Sequence, residues 1–568
     1  MSSSAASAPV DGVVIAIGQT GKPATQQQKY RVGDVSAQWA ASRADSTKPG
    51  QLRVFHPFQA SAPTVAAVSL GTQRAAPSTA PDALPKPQTF LRNEMLERTR
   101  LAAAKGARAL RDLGAPSAGA EEKKDKKQPT KRTIAIDGMY SPHAAAVGAN
   151  LSLFTFNHFK TRGAPEKAGF NVPVELKGGQ EIAVVPLQEG NCNDEGDELK
   201  DVIAAGGDGG VPQLSWQTGE VYAQAQNWAR ELKETPANMM TPTIFAKRVV
   251  DAFKGLANTS VTVHDEDWAR AKGMNVFLSV TAGTEQPAKF VEITYDGASS
   301  PDAPKLALVG KGVCFDSGGI SLKPGAGMKL MRADMGGAAS VVAVMRAIAE
   351  LKLPINVVAA TPLVENLPSG SATKPGDIIE AMNGLTVEVD NTDAEGRLIL
   401  SDALTYISRE YKPHTLLDVA TLTGAILHAL GHHYSGVFVE DESLWQELKA
   451  AGEAEKDLFW RMPLDDEYLR YIDSSNADLC NRGTPAGSAC AAIFLKQFVD
   501  GLEDRSKLSA NADEGKPTVR YGHIDIAGTM ETKQPTDYQS SSMLTGRPTR
   551  ALIEFARRFA VLHTGKQA

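Results

Sequence analysis

The stretch KLALVGKGVCFDSGG, residues 305–319, best indicates how this chain folds. Its first six residues, Lys305–Gly310, are a short apolar run that predicts a buried strand. The same rhythm continues along the chain, with strands predicted at Asn356–Thr361, Leu385–Asp390 and Thr415–Ala420 and helices at Ala338–Leu351 and Leu398–Ile407. Repeated alternation of strands and helices is typical of an α/β sheet covered by helices.

The first part of the chain has the same character but is more interrupted. Strands are predicted at Gly12–Gly18, Thr64–Gly71 and Thr133–Met139, and a helix from about Leu91 to Leu113. Leu214–Lys233 predicts one long helix, which Thr235-Pro236 ends. With 568 residues the chain is too long for one ordinary domain. We therefore predict an N-terminal domain over 1–213, a linker helix over 214–235 and a second domain over 236–568.

Two polar inserts interrupt this pattern, at about 114–132 and 500–517. Both are rich in charged, proline or glycine residues and have little apolar surface to bury, which predicts solvated segments. The roles of these inserts stay open.

Composition excludes several classes of protein. Hydrophobic residues make up 42%, charged residues 22%, and the net charge is -6, which is ordinary for a globular protein and gives no reason to expect a nucleic-acid or membrane partner. The four cysteines lack CxxC spacing, so we predict reduced thiols. No membrane span or secretory signal is predicted, and a cytoplasmic protein is expected ahead of one with an organelle transit peptide.

The heptapeptide NTDAEGR, Asn391–Arg397, is the most informative polar segment. In an extended chain, side chains at i, i+2 and i+4 share one face, so Asp393, Glu395 and Arg397 would line a single wall. An equally good interpretation is a polar turn before the helix predicted at Leu398, with Asp393 as its cap.

A second polar segment follows the predicted strand at 305–310. Lys311, Asp316, Lys323 and Asp334 occur in it among many glycines, which let a backbone turn tightly. Ligand sites in open α/β sheets lie outside the carboxyl ends of strands, so this segment is placed for a site. The simpler alternatives are a helix cap for Asp334 and a surface position for Lys323.

Other chemistries are disfavoured by the sequence. Gly310-Lys311-Gly312 lacks the third glycine of a dinucleotide-binding loop, and no GxxxxGK[ST], HExxH or GxSxG occurs. His428, His432 and His433 have no acidic partner nearby in sequence, so we predict packing or surface positions for them.

Taken together, six segments resemble the leucyl aminopeptidase (cytosol aminopeptidase) family. They are GKGVCFDSGGISLKP, MRADMGGAA, NTDAEGRLILSDAL, DVATLTGA, GHIDIAGTM and GRPTRALIEF, and the resemblance extends from about Pro236 to Phe559. It implies an α/β protein of two domains, an N-terminal macro-like α/β domain and a C-terminal α/β/α sandwich catalytic domain with a mixed central sheet.

The resemblance also implies roles for individual residues. Lys311, Asp316, Asp334, Asp393 and Glu395 would be metal ligands, and Lys323 and Arg397 the catalytic pair. Substrate would be bound by Lys311, Asp316, Ser321, Lys323, Met331, Asn391, Asp393, Thr421, Leu422, Gly424, Ala527 and Met530. Of these, Met331, Thr421, Gly424, Ala527 and Met530 would form the pocket for the N-terminal side chain (S1).

The implied activity is that of a metal-dependent aminopeptidase that prefers leucine and other apolar residues. Two cations bridged by Asp316, Glu395 and a water would activate that water for attack. Oxygen ligands with one amine suit zinc, manganese, magnesium or cobalt and select poorly among them. The resemblance implies zinc, with one site that exchanges readily for manganese or magnesium. The family pattern adds a bicarbonate ion held by Arg397 as general base, Lys323 as donor to the carbonyl oxygen, and a homohexamer.

Two rival functions remain open from sequence. Six Lys and Arg residues at 121–132 could contact nucleic acid, although Glu121, Glu122 and Asp125 dilute them. A metal-binding structural protein with little activity is the other rival, and the presence of both Lys323 and Arg397 argues against it.

Overall fold

A computed structural model describes residues 10–17, 35–56, 63–70, 88–113, 132–156, 159, 182–187, 211–502, 518–533, 535–539 and 543–564. The predicted insert at 114–132, apart from Arg132, and residues 503–517 of the second insert lie outside the described residues. The chain forms two compact units. The first takes the described residues within Met1–Gly196 together with Gln213–Gln224 and Pro535–Gln539, and the second takes most of the remainder.

The first unit is built on a mixed sheet of five strands. The strands are β1 Gly12–Ile17, β2 Leu52–Phe55, β3 Thr64–Ser69, β4 Arg132–Ile136 and β5 Ile182–Pro186, and the helices are α1 Val35–Ala41, α2 Gln88–Asp112 and α3 Pro142–Leu153. The order is β2-β3-β1-β4-β5, with only the β2–β3 pair antiparallel. Val14 and Ala16 pack in one core cluster, and Val13 and Ile15 in another, because neighbouring side chains of a strand face opposite sides.

The second unit contains twelve strands among its described residues. They are β6 Thr259–His264, β7 Lys289–Asp296, β8 Lys305–Gly310, β9 Gly312–Asp316, β10 Asn356–Asn366, β11 Asp377–Glu380, β12 Thr386–Val389, β13 Thr415–Ala420, β14 Ser435–Val439, β15 Phe459–Met462, β16 Leu479–Cys480 and β17 Arg520–Asp525. Nine form the main sheet, in the order β15-β14-β17-β13-β8-β10-β7-β6 with β9 paired to β10. A small sheet has the order β11-β12-β16.

The helices that follow in the chain are α4 Trp216–Glu234, α5 Pro242–Phe253, α6 Glu266–Ala271, α7 Asn275–Val280, α8 Gly336–Leu351, α9 Glu395–Tyr411, α10 Gly424–Leu430, α11 Glu442–Glu455, α12 Gly487–Lys496 and α13 Thr549–Phe559. Short 3-10 segments lie at Ala237–Met239, Thr281–Gly283, Met328–Ala333 and Asp466–Tyr471, and a π-helical turn at Ala560–Thr564. None of the helices in the described ranges is long and apolar enough to span a membrane.

Helices cover both faces of the central sheet. Ala307 and Val309 of β8 share a core cluster with Leu400 and Leu404 of α9. A side chain on Gly310 would instead meet the backbone of Ala338 in α8, at 2.7 Å. Alternate residues of a strand face opposite sides, so α8 and α9 lie on opposite faces. The expected fold class, a mixed-sheet α/β/α sandwich preceded by an α/β domain, is confirmed, while the domain boundaries stay predictions.

The predicted elements are found, two of them with the predicted bounds and the others with shifted ends. β8 and β13 have the predicted bounds, and the long helix predicted at 214–233 is α4. β10 runs to Asn366, five residues beyond its predicted end, and α9 begins at Glu395, three residues before the predicted start. Among the described cysteines, Cys314, Cys480 and Cys490 are all free thiols, as predicted.

Candidate metal centre and active site

The candidate site forms where central strands of the main sheet end. β8 is paired in parallel with both β10 and β13, and Lys311 follows the last residue of β8. Asp316 ends β9, and Asp334 follows the 3-10 segment Met328–Ala333 that precedes α8. The carboxyl ends of parallel strands meet at one edge of a sheet, so residues distant in sequence converge there.

Asp393 and Glu395 also reach this edge, but the sequence had predicted that they share one face of an extended chain. That prediction is wrong, because Glu395 is already the first residue of α9 and Asp393 lies in the turn before it. The alternative, Asp393 as helix cap, is also wrong: the cap position is Ala394, without a side-chain hydrogen bond. A polar turn does precede the helix, and the Asp393 backbone N–H donates to Asn391 Oδ1 at 2.9 Å.

Two lysines lie between the four carboxylates. Lys311 Nζ is 2.8 Å from both Asp334 Oδ2 and Glu395 Oε1, and it donates to the carbonyl oxygen of Thr421 at 2.8 Å. Glycine at 396 leaves room for this side chain, since a Cβ there would lie 2.6 Å from Lys311 Cε.

Lys323 joins the other two carboxylates. Its Nζ lies 2.8 Å from Asp316 Oδ2 and also pairs with Asp393 Oδ1. The loop that brings it there turns at Gly318, whose φ of +89° is open to glycine and whose Cβ position would lie 2.4 Å from Ser321 O. The simpler alternative, an ordinary surface position for Lys323, is therefore wrong, because Lys323 is part of the cluster.

Burial and mutual repulsion shift the protonation of these carboxyl groups. Burial, reinforced by Glu395, raises the pKa of Asp316 to about 6, against the opposing effect of Lys323. Burial also raises the pKa of Asp334 well above its ordinary value, and that of Asp393. For Glu395, burial raises the pKa but Lys311 and Lys323 outweigh it, so the net shift is downward. Such a group of opposed shifts is typical of functional sites.

The neighbouring carboxylates raise the pKa values of the two lysines. Burial lowers the pKa of Lys311, but Asp334 and Glu395 outweigh burial and raise it above its ordinary value. Burial likewise lowers the pKa of Lys323, and Asp316 and Glu395 more than reverse this effect. A divalent cation among the same carboxylates would act against these increases by direct repulsion.

The donor set fits divalent cations. Asp316, Asp393 and Glu395 each offer an oxygen, and these oxygens lie within 4.8 Å of one another. Glu395 Oε2, Asp334 Oδ2 and Asp393 Oδ1 are buried without a hydrogen-bond partner, although the last two lie at ion-pair distance from lysines. Buried carboxylate oxygens are normally satisfied, so the unpartnered Glu395 Oε2 among these clustered carboxylates points to ligands for hard cations.

Arg397 lies in the first turns of α9, and none of the residues that the structure describes forms an ion pair with its guanidinium. The residue is 7% exposed, and its Nε is buried without a hydrogen-bond partner. In the part of the chain that the structure describes, no carboxylate lies within ion-pair distance of it, and burial lowers its pKa. A buried guanidinium without a carboxylate partner is suited to bind a small anion.

Two residues that the sequence analysis missed connect the two halves of the cluster. Asn366, at the end of β10, donates from Nδ2 to Asp316 Oδ1 and to Thr392 O, both at 2.9 Å. Thr392 Oγ1 donates to Gly318 O at 2.7 Å and accepts from Ser321 N at 2.8 Å. The available signal for Asn366 was a polar residue at the end of a strand that pairs with β9, the strand of Asp316. The end of β10 was predicted too early to reveal it.

The residues predicted to bind substrate lie around this cluster to different degrees. Thr421 contacts it directly, donating from Oγ1 to Asp334 Oδ1 at 2.7 Å. The segments of Leu422 and Ala527 are held together by Asp525, whose Oδ1 accepts a backbone hydrogen bond from each. The remaining three residues contact the cluster through the backbone or lie further from it: Met331 O accepts from Asp334 N at 3.2 Å, Met530 packs with Ala333 and Leu544, and Gly424 opens α10 with free space around it.

The predicted histidine positions agree with packing or surface roles. His428 is exposed and bonds the carbonyl of Gly424, four residues earlier in α10, and His432 bonds the carbonyl of Gly528.

The chain is similar to known proteins of one family. The profile of the Cytosol aminopeptidase family, catalytic domain, matches residues 227–553. The "Cytosol aminopeptidase" of Xenopus tropicalis is 38% identical over 525 residues, which cover 92% of this chain and 86% of the relative. That of Homo sapiens is 38% identical over 517 residues, 90% of this chain and 84% of the relative.

Two solved structures are similar over nearly the whole chain. The "Bottromycin maturation enzyme BotP in complex with Mn" superposes with a TM-score of 0.70 at 28% identity, covering 97% of this chain and 100% of that one. A variant of tomato leucine aminopeptidase superposes with a TM-score of 0.69 at 26% identity, covering 96% and 93%.

Proposed function

This chain belongs to the cytosol aminopeptidase family, and from that premise we propose that Asp316, Asp334, Asp393, Glu395 and Lys311 hold two divalent cations. Family membership makes the protein a metal-dependent aminopeptidase, a hydrolase that releases N-terminal amino acids. The observation that supports the residue assignment is the cluster of Asp316, Asp393 and Glu395 oxygens within 4.8 Å of one another, in which Glu395 Oε2 is buried without a hydrogen-bond partner among the described residues.

When bound, the cations supply Lewis-acid chemistry, which lowers the pKa of water and offsets the negative charge that develops during attack. We propose zinc or manganese, as the family resemblance suggests. Magnesium or cobalt would be able to replace them, because oxygen ligands with one amine discriminate poorly among these metals. The structurally similar BotP enzyme is in complex with Mn, which supports a divalent cation in this fold.

Lys311 and Lys323 are proposed to do different work because their exposure differs. The Lys311 side chain is 3% exposed and the Lys323 side chain 22% exposed, so only Lys323 is open to an incoming peptide. Lys323 would donate a hydrogen bond to the scissile carbonyl oxygen as it gains negative charge. Lys311 would act as a ligand, which requires the neutral amine, since an ammonium has no lone pair.

Arg397 is proposed to bind bicarbonate as the general base. Its buried Nε has no protein partner, and the described residues offer it no ion pair, so an anion would satisfy both needs. A bidentate interaction between guanidinium and a planar oxyanion has the required geometry. Held there, bicarbonate would supply the general base, a role that the permanently charged Arg397 guanidinium does not fill itself.

The substrate pocket is proposed from Met331, Thr421, Gly424, Ala527 and Met530, with Ser321, Asn391 and Leu422 beside the peptide. Apolar groups dominate this set, and methionine adapts to different shapes. We therefore expect leucine and methionine at the N-terminus to be released well, and aspartate and glutamate poorly. Comparing kcat/KM across aminoacyl-p-nitroanilides checks this pocket, and a preference for the acidic residues would refute it.

The family resemblance further suggests a homohexamer in the cytoplasm, and the name of the relatives supports the location. Light scattering after size-exclusion chromatography tests the assembly. For nucleic acid, the alternative partner, no comparison offers support, and the lysine-rich residues that suggested it lie almost wholly outside the described part of the chain.

The decisive experiment removes metal from the protein with a chelator and restores Zn²⁺, Mn²⁺, Mg²⁺ or Co²⁺ while leucine-p-nitroanilide hydrolysis is followed. Activity should vanish with the metal and return with at least one cation. Asp393→Asn should lose it, whereas Asp377→Asn, a partly exposed carboxylate of the neighbouring small sheet paired with Lys374, should not. Undiminished activity in metal-free protein would contradict the proposal.

A further inference from the structure

Asn481 is a buried asparagine whose side-chain partners among the described residues are Asp390 and the turn that follows it and precedes Glu395. Its Nδ2 donates to Asn391 O at 2.8 Å and to Ala394 O at 3.4 Å. Its Oδ1 accepts from the backbone N–H groups of Asp390 at 2.9 Å and Asn391 at 3.1 Å. The residue has 0% exposure, so water does not compete for these bonds.

The small sheet explains why Asn481 meets this turn. β12 and β16 are paired in parallel, with Glu388 opposite Cys480. Asn481 follows Cys480 directly, and its own N–H donates to Glu388 O at 3.0 Å. The turn that carries Asp393 follows the end of β12, and Asn481 follows the end of β16. The Asn481 side chain and this turn therefore meet at one edge of the small sheet.

An amide suits this position better than a charged group would. The turn presents two N–H donors and two carbonyl acceptors, and an asparagine side chain supplies the matching two acceptor and two donor positions. It does so without adding charge beside a cluster that already holds four carboxylates. Removing the amide would leave partly buried backbone groups of the turn without these partners, a loss that the turn could relieve only by moving.

We propose that Asn481 is a positioning residue of the metal centre. By fixing both ends of the turn Asn391–Ala394, it sets where the Asp393 carboxylate lies relative to Glu395, the next residue and the start of α9. This inference rests on the proposed function, because it assigns Asn481 to the support of those two ligands. Partners that orient ligands in this way commonly change metal affinity about 10–100-fold when removed.

The test measures Mn²⁺ binding to the full chain by equilibrium dialysis and elemental analysis, with Asn481→Ala and Asn481→Asp beside the wild type. The matched control is Asn383→Ala. Asn383 also bridges a turn in the small sheet, with Nδ2 on Gln497 O and Oδ1 on Leu385 N, both at 3.1 Å. Both Asn481 variants should need about 10–100-fold more free Mn²⁺ for half-saturation. Excess Mn²⁺ should restore their kcat for leucine-p-nitroanilide, and Asn383→Ala should bind as the wild type does.

Each outcome decides the question. Folded Asn481 variants, by circular dichroism, that bind Mn²⁺ as tightly as the wild type overturn the positioning role. If neither variant folds while Asn383→Ala does, Asn481 is a folding residue and the inference is equally rejected. A wild-type protein that itself binds fewer than two Mn²⁺ ions, or binds two without hydrolysing leucine-p-nitroanilide, instead refutes the proposed function, whatever the variants do.

Discussion

Replacing Lys233 by methionine should stabilise the protein at neutral pH, by an amount that declines as pH rises. Lys233, near the end of α4, is fully buried, and within the described ranges its Nζ makes two long hydrogen bonds, to Ser340 Oγ and Arg547 O at 3.3 Å each. Burial lowers the pKa of Lys233 from 10.5 to about 7, with attraction to Asp457 as the opposing effect. The folded protein therefore holds a poorly compensated charge below this pKa.

The sign follows from proton binding in the two states. Between pH 7 and 10.5 the unfolded chain keeps the Lys233 proton and the folded chain has lost it, so stability rises with pH across this window. The cost of burying the group is about 4 kcal/mol of unfolding free energy at pH 7 and about 2 kcal/mol at pH 9. Methionine has nearly the same volume and no charge, so the advantage of Lys233→Met should shrink by about 2 kcal/mol between these pH values.

Urea unfolding followed by tryptophan fluorescence at pH 7 and pH 9, at constant metal concentration, measures this difference. All other groups titrate alike in the two proteins, so subtraction isolates Lys233. Lys449→Met, at an exposed lysine of α11 whose side chain is 47% exposed, should show no pH-dependent advantage. A stability difference between Lys233→Met and wild type that stays constant from pH 7 to 9 would refute the reasoning.

Three further predictions concern the site. Lys311→Arg keeps the charge but cannot supply a lone pair, so elemental analysis should find one metal fewer and assays almost no activity; two metals per chain would remove Lys311 from the ligands. Gly396→Ala places a methyl group 2.6 Å from Lys311 Cε and should lower kcat at least tenfold by displacing that side chain. The control Gly370→Ala, at a glycine with open space around it, should have the kcat of the wild type. A Gly396→Ala kcat equal to that of the wild type would show that Lys311 tolerates the shift. N-acetylated leucyl peptides should be cleaved far more slowly than free ones if the substrate amine binds metal, and comparable rates by chromatography of products would exclude that binding mode.

The sequence was sufficient for elements whose pattern is local. β8 and β13 are short apolar runs, and their predicted bounds are the observed ones. Lys311 was expected at a strand end because ligand sites gather there, and it lies there. The family resemblance, not periodicity, supplied the ligand roles, because spacing alone left Asp334 and Lys323 with simpler interpretations.

Where prediction failed, the cause lies in contacts between distant segments. Pro362 directly follows the predicted end of β10, and proline cannot donate to a sheet ladder. The strand continues nevertheless, since Pro362 and Leu363 still pair with β7 and Leu363–Asn366 pair with β9. That continuation brings Asn366 to Asp316, a contact of two residues 50 positions apart. Likewise Glu395 entered the helix early, and no local signal marked the turn that Asn481 supports.

The length and position of β10 determine how the site should respond to thermal fluctuation. All eleven residues are buried. The strand is flanked on one side by β7, from Asn356 to Leu363, and on the other by β8 and then β9. Backbone amides in such a strand exchange with solvent only through the largest opening events. Asn366 is part of this slowly exchanging strand, and Asp316 is hydrogen-bonded to Asn366. The ligands would then keep their spacing until the second unit melts as a whole, and heating should abolish metal binding in the same narrow interval as the fold itself.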